Sequence, residues 1–136
     1  ESAFGRGEVF NINGDEVELL LVKNPSAFQL SLTSFVDKNH DYMIAINDAV
    51  ADGRDISWLW NVDFKTLKRV KIASGTRATD MALRLKYDEI ETDAIIEDLK
   101  QAVDKFTADG KNPKRIFATY TAMLEIRKII SGKSIL

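Results

Sequence analysis

The stretch VELLLVKNPSAFQLSLTSF, residues 17–35, decides the fold. It begins with an apolar run, Val17 to Val22, which is typical of a buried strand. Asn24 and Pro25 follow, and Asn as N-cap with Pro at the first helical position is a common start for a helix. Apolar side chains then recur on one helical face, at Phe28, Leu32 and Phe35. A strand therefore gives way to a helix across two residues.

The same alternation continues through the rest of the chain. Apolar runs predict further strands at residues 42–46, 70–73 and 115–118, and helical spacing predicts helices at 77–86 and 121–130. A short strand at 9–12 precedes the Asn13-Gly14 turn signal, which predicts a hairpin at the start. Because helices separate the later strands, we expect an α/β fold with a mostly parallel sheet and right-handed crossovers.

Residues 93–106 fit two patterns. Apolar residues at helical spacing predict one helix ending at Gly110, with Ile95, Ile96, Leu99, Val103 and Phe106 on its buried face. The run Ala94-Ile95-Ile96 equally fits a short strand before a shorter helix. The regular alternation of strands and helices favours the strand.

Composition limits the classes of function. The chain has 136 residues, no Cys, one His and a net charge of −2. We expect one domain over residues 1–136, with neither disulfides nor a Cys-based metal site. The longest uncharged stretch, Asn24 to Val36, is too short for a membrane span, and the mixed charge does not favour nucleic acid. Glu1 opens the chain without a Met, so we expect a piece of a longer protein.

The carboxyl ends of the predicted strands define the candidate site, because ligands of open parallel sheets bind there. The polar turns that meet at this edge are residues 23–25, 47–55, 74–77 and 119–121. His40 precedes a strand and so belongs to the opposite edge, which disfavours a Ser-His hydrolase. The chain has no P-loop motif, although the turn at 74–77 offers N–H groups and a cation to a phosphate.

The connection at residues 47–64 is the least generic part of the sequence. We expect Arg54 to neutralise a neighbouring Asp, and Asp63 to cap a short helix that begins at the next residue. Trp58 and Trp60 suit either the core or a partner surface, and the sequence leaves both open. An Asp at this edge can bind nucleotide-bound Mg²⁺ or orient a His. Because no eligible His is present, the second use requires a partner protein.

Motifs along nearly the whole chain resemble the C-terminal domain of the MurT family. The matching segments are FGRGE at 4–8, KNP at 23–25, ND at 47–48, ADGRDxSWxW at 51–60, SGTRA at 74–78, LRLKY at 83–87 and YTAML at 120–124. This resemblance implies a three-layer, Rossmann-like Mur ligase C-terminal domain with a mostly parallel sheet and an N-terminal hairpin.

The resemblance also implies a function. MurT is the Mur-ligase-like subunit of lipid II isoglutaminyl synthase, and its partner in a heterodimer is the glutamine amidotransferase GatD. The complex uses ATP and Mg²⁺ to amidate the α-carboxyl of D-glutamate in the lipid II stem peptide, giving D-isoglutamine in peptidoglycan biosynthesis. It would act in the cytoplasm, at the inner face of the membrane. We expect this domain to be inactive by itself and to hold no tightly bound cofactor or metal.

Specific residues acquire roles through the same resemblance. Asp55 is implied to reach into the partner and orient its catalytic His. The implied partner-binding residues are Asp52, Arg54, Trp58 and Trp60, and the positions implied to line the nucleotide cleft or the hinge are Lys23, Asn24, Arg77 and Arg6. Two alternatives remain open: a non-catalytic docking domain for the amidotransferase, and a Mur-type ligase domain that adds an amino acid.

Overall fold

A six-stranded sheet organises the domain. The computed structural model describes residues 7–37 and 39–133. The strands are β1 (Glu8–Ile12), β2 (Asp15–Leu21), β3 (Asp41–Ala45), β4 (Arg69–Ser74), β5 (Glu91–Ile96) and β6 (Lys114–Ala118). The helices are α1 (Pro25–Phe35), α2 (Ala78–Tyr87), α3 (Leu99–Phe106) and α4 (Tyr120–Ser131), with two 3₁₀ helices at Val50–Asp52 and Ser57–Asn61.

The strand order is β1-β2-β6-β3-β4-β5. Strand β1 pairs with β2 antiparallel, and every other pairing is parallel. The predicted α/β fold, its mostly parallel sheet and its N-terminal hairpin are therefore confirmed. The chain moves outward from β3 to β5 and then returns to β6, so the order reverses between β3 and β6. In open α/β sheets, such a reversal is where ligand clefts form.

Helices cover both faces of the sheet and give three layers. One core lies under α1, α2 and the Ser57–Asn61 turn, and the other lies under α3 and α4. Strand β2 shows how the sequence divides between them, because successive side chains of a strand point to opposite faces. Leu20 belongs to the first core, whereas Val17 and Leu19 belong to the second.

The local signals at the start of the chain are confirmed. Asn13 and Gly14 both have positive φ, at 53° and 87°, as a two-residue hairpin turn requires. Asn24 caps α1, because its Oδ1 accepts a hydrogen bond from the Ala27 N–H at 2.8 Å, and Pro25 is the first helical residue.

Two further expectations have different outcomes. Residues 91–96 form strand β5, so the strand preference is confirmed, and Asp98 caps the separate helix α3. The prediction of a helix that begins at Phe64 is wrong. Asp63 Oδ1 instead accepts the Lys65 N–H at 2.9 Å in a turn, and the short helix lies earlier, at Ser57–Asn61.

Lys114 carries a buried charge at the amino end of β6. Its side chain is 1% exposed and lies 3.0 Å from Asp109, 3.4 Å from Asp15 and 3.6 Å from Asp41. The Lys114 ammonium holds the pKa of Asp109 below its usual range. This cluster joins β2, β3 and the loop before β6 at the edge opposite the candidate site.

We therefore expect Lys114→Met to destabilise the chain by about 3 kcal/mol at pH 7, because it leaves three carboxylates close together without their cation. A carboxyl whose pKa is lowered by folding stabilises the fold above its unfolded pKa and stops doing so as pH falls through the folded value. The difference from wild type should therefore shrink below about pH 4. Urea unfolding across pH measures this, with Lys111→Met on the exposed neighbouring loop as control. Equal losses in both variants would contradict the role of Lys114.

Candidate functional site

Three strand ends meet at the candidate site. Asn47 follows β3, the turn Ser74-Gly75-Thr76-Arg77 follows β4, and Thr119 follows β6. Residues 46–68 then connect β3 to β4 with only the two short 3₁₀ helices. A connection longer than about 12–15 residues without substantial secondary structure is usually functional. The connection between β3 and β4 is therefore a candidate functional segment.

Asn47 joins the three strand ends. Its backbone N–H donates to Thr119 Oγ1 and its Nδ2 donates to Thr121 Oγ1, both at 2.9 Å. Its Oδ1 accepts the Thr76 N–H at 3.0 Å. Both the Nδ2 and the Oδ1 of Asn47 are therefore engaged in hydrogen bonds within the protein. Asn47 thus positions the turns that follow β4 and β6.

Gly75 allows β4 and β3 to approach each other at this point. Its φ is +91°, and a Cβ there would lie 2.4 Å from the Ile46 carbonyl oxygen. The close approach also uses the N–H groups of the turn: Gly75 donates to Glu97 O, Thr76 to Asn47 and Arg77 to Ile46 O. These N–H groups are consequently not free to bind a phosphate, contrary to what the turn sequence suggested.

Two carboxylates neutralise the charge of Arg77 at the same edge of the sheet. Its Nη1 donates to Asp48 at 3.0 Å and its Nε donates to Asp80 at 2.7 Å. Both carboxylates raise the pKa of Arg77, and Arg77 in turn lowers the pKa of Asp48 and of Asp80. The guanidinium therefore stays charged and held by two partners, and it remains partly exposed.

Asp52 anchors the connection to the start of α4. It accepts the Thr121 N–H at 2.7 Å and the Thr121 hydroxyl at 2.5 Å. It also accepts the Ala49 N–H at 3.1 Å, which closes the first 3₁₀ helix. Asp52 therefore caps α4 although it lies outside that helix. Asp52 and Thr121 are 69 positions apart in the chain, and local sequence patterns do not indicate a contact over such a separation.

Asp55 lies on the exposed tip of the connection. Its Oδ1 accepts the Ser57 N–H at 2.9 Å. Hydrogen bonds from the backbone N–H and the hydroxyl of Ser57 hold the pKa of Asp55 below its usual range, so the carboxylate is ionised at neutral pH. Arg54 is also exposed and forms no ion pair within the described residues, so its expected neutralisation of a neighbouring Asp is wrong.

The two Trp residues have different surroundings. Trp58 is half-buried and packs on the first core, with its ring 6.3 Å from Phe28. Trp60 is exposed and meets the ring of Tyr87 edge-on at 4.9 Å. Trp58 thus fits the core interpretation, whereas the partner contact of Trp60 stays a prediction.

Arg84 is the residue that sequence reasoning missed. It is buried, its Nε donates to Leu59 O at 2.9 Å, and its Nη2 donates to the carbonyl of Val62. It also pairs with Asp88 at 3.1 Å. The available signal was its position, because Arg84 falls on the buried face of α2 between Met81 and Leu85.

The remaining predicted residues are dispersed. Lys23 is exposed just after β2, and the side chain of Asn24 is engaged in capping α1. Arg6 lies outside the described residues. His40 immediately precedes β3 and so lies at the edge opposite the site. Within residues 7–37 and 39–133, no helix has the length and apolar character needed to cross a membrane, and no group of three acidic, His or Cys side chains could hold a metal ion.

Known proteins resemble this chain in sequence and in fold. The family model described as MurT ligase C-terminal matches residues 21–123. The chain is 31% identical to the lipid II isoglutaminyl synthase (glutamine-hydrolyzing) subunit MurT of Streptococcus pneumoniae, covering 98% of this chain and 32% of the relative. It is 36% identical to the subunit MurT of Staphylococcus aureus, covering 88% of this chain and 29% of the relative. The chain thus spans about a third of the length of these relatives.

A solved structure has a similar fold. Folylpolyglutamate synthase from Thermotoga maritima superposes with a TM-score of 0.59 over 98% of this chain and 32% of that chain, at 17% identity. At this identity the likeness concerns the fold alone, and it agrees with the three-layer α/β architecture of this chain.

The anchoring role of Asp52 can be tested by substitution. We expect Asp52→Ala to reduce the free energy of unfolding by about 1–2 kcal/mol, as loss of a helix cap does. The Thr121 and Ala49 amides should then exchange hydrogen faster, because local opening exposes them. Asp55→Ala on the same connection is the matched control and should change stability by less than about 0.5 kcal/mol. Unchanged exchange at Thr121 in Asp52→Ala would show that the contact does not hold the connection.

Proposed function

Because the chain belongs to the MurT ligase C-terminal family, we propose that it is the C-terminal domain of the ligase subunit of a lipid II isoglutaminyl synthase. The relatives' names supply the reaction, glutamine-dependent amidation within lipid II. In this proposal residues 1–136 form one domain of a longer subunit, which acts on its lipid-linked substrate at the cytoplasmic face of the membrane. ATP and Mg²⁺ bind mainly in the part of the subunit beyond this chain.

The reaction divides into activation and transfer. ATP phosphorylates the α-carboxylate of D-glutamate, and ammonia then attacks the acyl phosphate, so that phosphate leaves and an amide forms. A positioned acyl phosphate is already a good electrophile, and catalysis therefore needs orientation and charge neutralisation. Arg77, Lys23 and Asn24 are the residues proposed to face the nucleotide, with Arg6 at the hinge. Support for Arg77 comes from its charged and partly exposed guanidinium.

Ammonia would come from a GatD-type glutamine amidotransferase, the proposed partner in a heterodimer. Asp55 supports the proposed contact with this partner. Its carboxylate is ionised and exposed, and Ser57 of the same turn donates hydrogen bonds to it. A carboxylate that accepts the Nδ1–H of a His fixes the ring orientation and stabilises the imidazolium. Asp55 would orient the partner's catalytic His in this way.

The residues around Asp55 would bind the partner. Asp52 fixes the connection between β3 and β4 to the start of α4 through Thr121. Arg54 is exposed and free of ion pairs within the described residues, so it can pair with a carboxylate of the partner. Trp60 offers an exposed ring, whereas the half-buried Trp58 holds the turn on the core. Asp55 is thus presented on a well-supported turn.

The second candidate function is a non-catalytic docking domain. One observation favours it: the N–H groups of the turn at 74–77 and the charge of Arg77 are satisfied internally. On this alternative the domain binds the amidotransferase and contributes nothing to the nucleotide site. The third possibility, a domain that adds an amino acid, would require no glutaminase partner.

Substitution of Asp55 tests the proposed function. In the complete complex we expect Asp55→Asn to lower the rate of glutamine hydrolysis by at least about a hundredfold, because a neutral amide neither fixes nor stabilises the imidazolium equally well. Amidation driven by added ammonium should be retained, since Asp55 does not touch the acyl phosphate. Asp63→Asn, an exposed Asp in the same connection, is the control and should leave both rates unchanged. Glutamine hydrolysis at the wild-type rate would refute the role of Asp55.

Two measurements on one variant distinguish a domain that contributes to the ATP site from a domain that only docks the partner. We expect the full-length subunit carrying Arg77→Ala to show a several-fold higher KM for ATP, because a charged group at the cleft is lost, with unchanged affinity for the amidotransferase. Kinetics at varied ATP and calorimetric titration with the partner measure the two effects. An unchanged KM for ATP would favour the docking domain.

A further inference from the structure

A cavity of about 430 Å³ lies at the amino ends of β3 and β4, the edge of the sheet opposite the candidate site. We call it the amino-edge cavity. Its walls come from two short segments, one that leads into β3 and one that leads into β4. Small-molecule sites in proteins have volumes of roughly 300–1,000 Å³. The amino-edge cavity is therefore large enough to hold a small molecule.

One wall of the amino-edge cavity is apolar. Val36 packs against the first core, and the ring of Tyr42 belongs to that core and stacks on Phe117 with 5.9 Å between the ring centres. The Tyr42 hydroxyl is engaged within the protein, because it accepts the Asp37 N–H and donates to Asp37 O at 2.9 Å. Val36 and Tyr42 therefore offer a ligand an apolar surface.

Two lysines of the amino-edge cavity have no partner among the described residues. Within residues 7–37 and 39–133, the side chains of Lys68 and Lys71 form neither an ion pair nor a hydrogen bond. Arg69 lies between them in the chain and differs, because its Nε lies 2.7 Å from Asp93. The ammonium groups of Lys68 and Lys71 are therefore available to an anion, whereas the guanidinium is already paired.

The carboxylates of the amino-edge cavity do not cancel this charge. Asp41 Oδ2 lies 3.6 Å from the buried Lys114 ammonium, which belongs to the cluster at the amino end of β6. Asp37 is the other carboxylate, and its Oδ1 accepts the Asn39 N–H at 2.7 Å. Two available lysines thus face one carboxylate without a cation of its own, and the cavity has an excess of positive charge.

His40 places a buried nitrogen without a hydrogen bond in the wall of the same cavity. Its side chain is 14% exposed, and its Nδ1 is buried and has no hydrogen-bond partner in the described part of the chain. Asp37 Oδ2 lies 3.9 Å away, which is too far for a hydrogen bond. Burial, and then the nearby Arg115, lower the pKa of His40, so the ring is neutral at pH 7 and can donate through one nitrogen. Buried polar atoms without a partner are rare, and a ligand would supply the missing one.

We propose that the amino-edge cavity binds a phosphate monoester carried on a small apolar group. Lys68 and Lys71 pair with the phosphate, and the buried nitrogen of His40 donates a hydrogen bond to it. The apolar group packs on Val36 and Tyr42. This site does not depend on the proposed function, since none of its residues belongs to the edge that carries Asn47.

The cations of the amino-edge cavity suit phosphate better than carboxylate. Planar, bidentate recognition of a carboxylate is typical of Arg, and Arg69 is already paired with Asp93. A lysine ammonium is a compact point charge with three donors, and lysines are common phosphate ligands. Two separate lysines and an imidazole can approach a tetrahedral phosphate from three sides. The apolar wall then requires that the phosphate be attached to an apolar group.

The test titrates the full-length subunit that contains this chain with phenyl phosphate, measured by calorimetry. Saturating ADP is present throughout, so that a nucleotide cleft elsewhere in the subunit is occupied. We expect phenyl phosphate to bind with a Kd of about 1 mM or lower. Inorganic phosphate should bind at least about tenfold more weakly, because it has no ring to bury on the apolar wall.

Variants locate this binding. We expect Lys68→Met/Lys71→Met to raise the Kd for phenyl phosphate by at least about tenfold. Lys86→Met/Lys128→Met is the matched control: it removes the same charge from two exposed lysines of α2 and α4 and should change the Kd by less than about twofold. In a subunit with isotope-labelled histidine, the signal of His40, assigned with His40→Gln, should shift as phenyl phosphate is added.

Four results would each overturn the proposal. The first is no binding of phenyl phosphate, or binding no tighter than that of inorganic phosphate. The second is an equal rise in Kd in both double variants, which would show a general attraction of anions. The third is an unshifted His40 signal at saturation. The fourth is binding to phosphatidic acid vesicles that Lys68→Met/Lys71→Met abolishes, without binding of phenyl phosphate, which would assign the two lysines to a membrane surface.

Discussion

The hydrogen bonds of Asn47 are the constraint on which the site depends. Asn47 is the second residue after β3, and it binds the ends of both neighbouring strands, through Thr119 and Thr121 on one side and Thr76 on the other. Each bond joins residues at least 29 positions apart in the chain. Strands β3 and β6 pair in parallel along their length, and α1 crosses over β6 on its way from β2 to β3. Asn47 adds hydrogen bonds at the carboxyl ends of the strands, and these bonds fix the turns that follow β4 and β6.

The connection that carries Asp55 is held at both ends and left open in the middle. Asp52 fixes one end to the start of α4, and Arg84 fixes the other end to α2. The exposed residues lie between these anchors. This arrangement suits the role proposed for Asp55: a carboxylate that enters another protein must be accessible, yet it orients a His only if its own position is defined. Anchors on two different helices satisfy both requirements without burying the carboxylate.

The sequence predicted local structure well because the signals are local. The Asn24 cap, the Asn13-Gly14 turn and the apolar run of β2 each depend on residues within a few positions of one another. The strand order is not local, and the contacts of Asn47 and Asp52 depend on it. The sequence also did not distinguish the surroundings of Trp58 from those of Trp60. The 3₁₀ helix directs the ring of Trp58 toward Phe28, whereas the ring of Trp60 is exposed and contacts Tyr87.

Arg84 and the turn at 74–77 show how a charge pattern can mislead. Four features of that turn suggest anion binding: a Gly, consecutive N–H groups, a helix start and Arg77. Internal acceptors, however, take the N–H groups, and two carboxylates pair with the guanidinium. Arg84 falls on the buried face of α2 with Met81 and Leu85, and it is a buried cation that contacts the ring of Trp60. A cation on the buried side of an amphipathic helix must find acceptors there, since an unpaired buried charge is too costly to keep. For Arg84 those acceptors are the carbonyls on both sides of Trp60, and so a requirement of folding also sets the orientation of an exposed side chain.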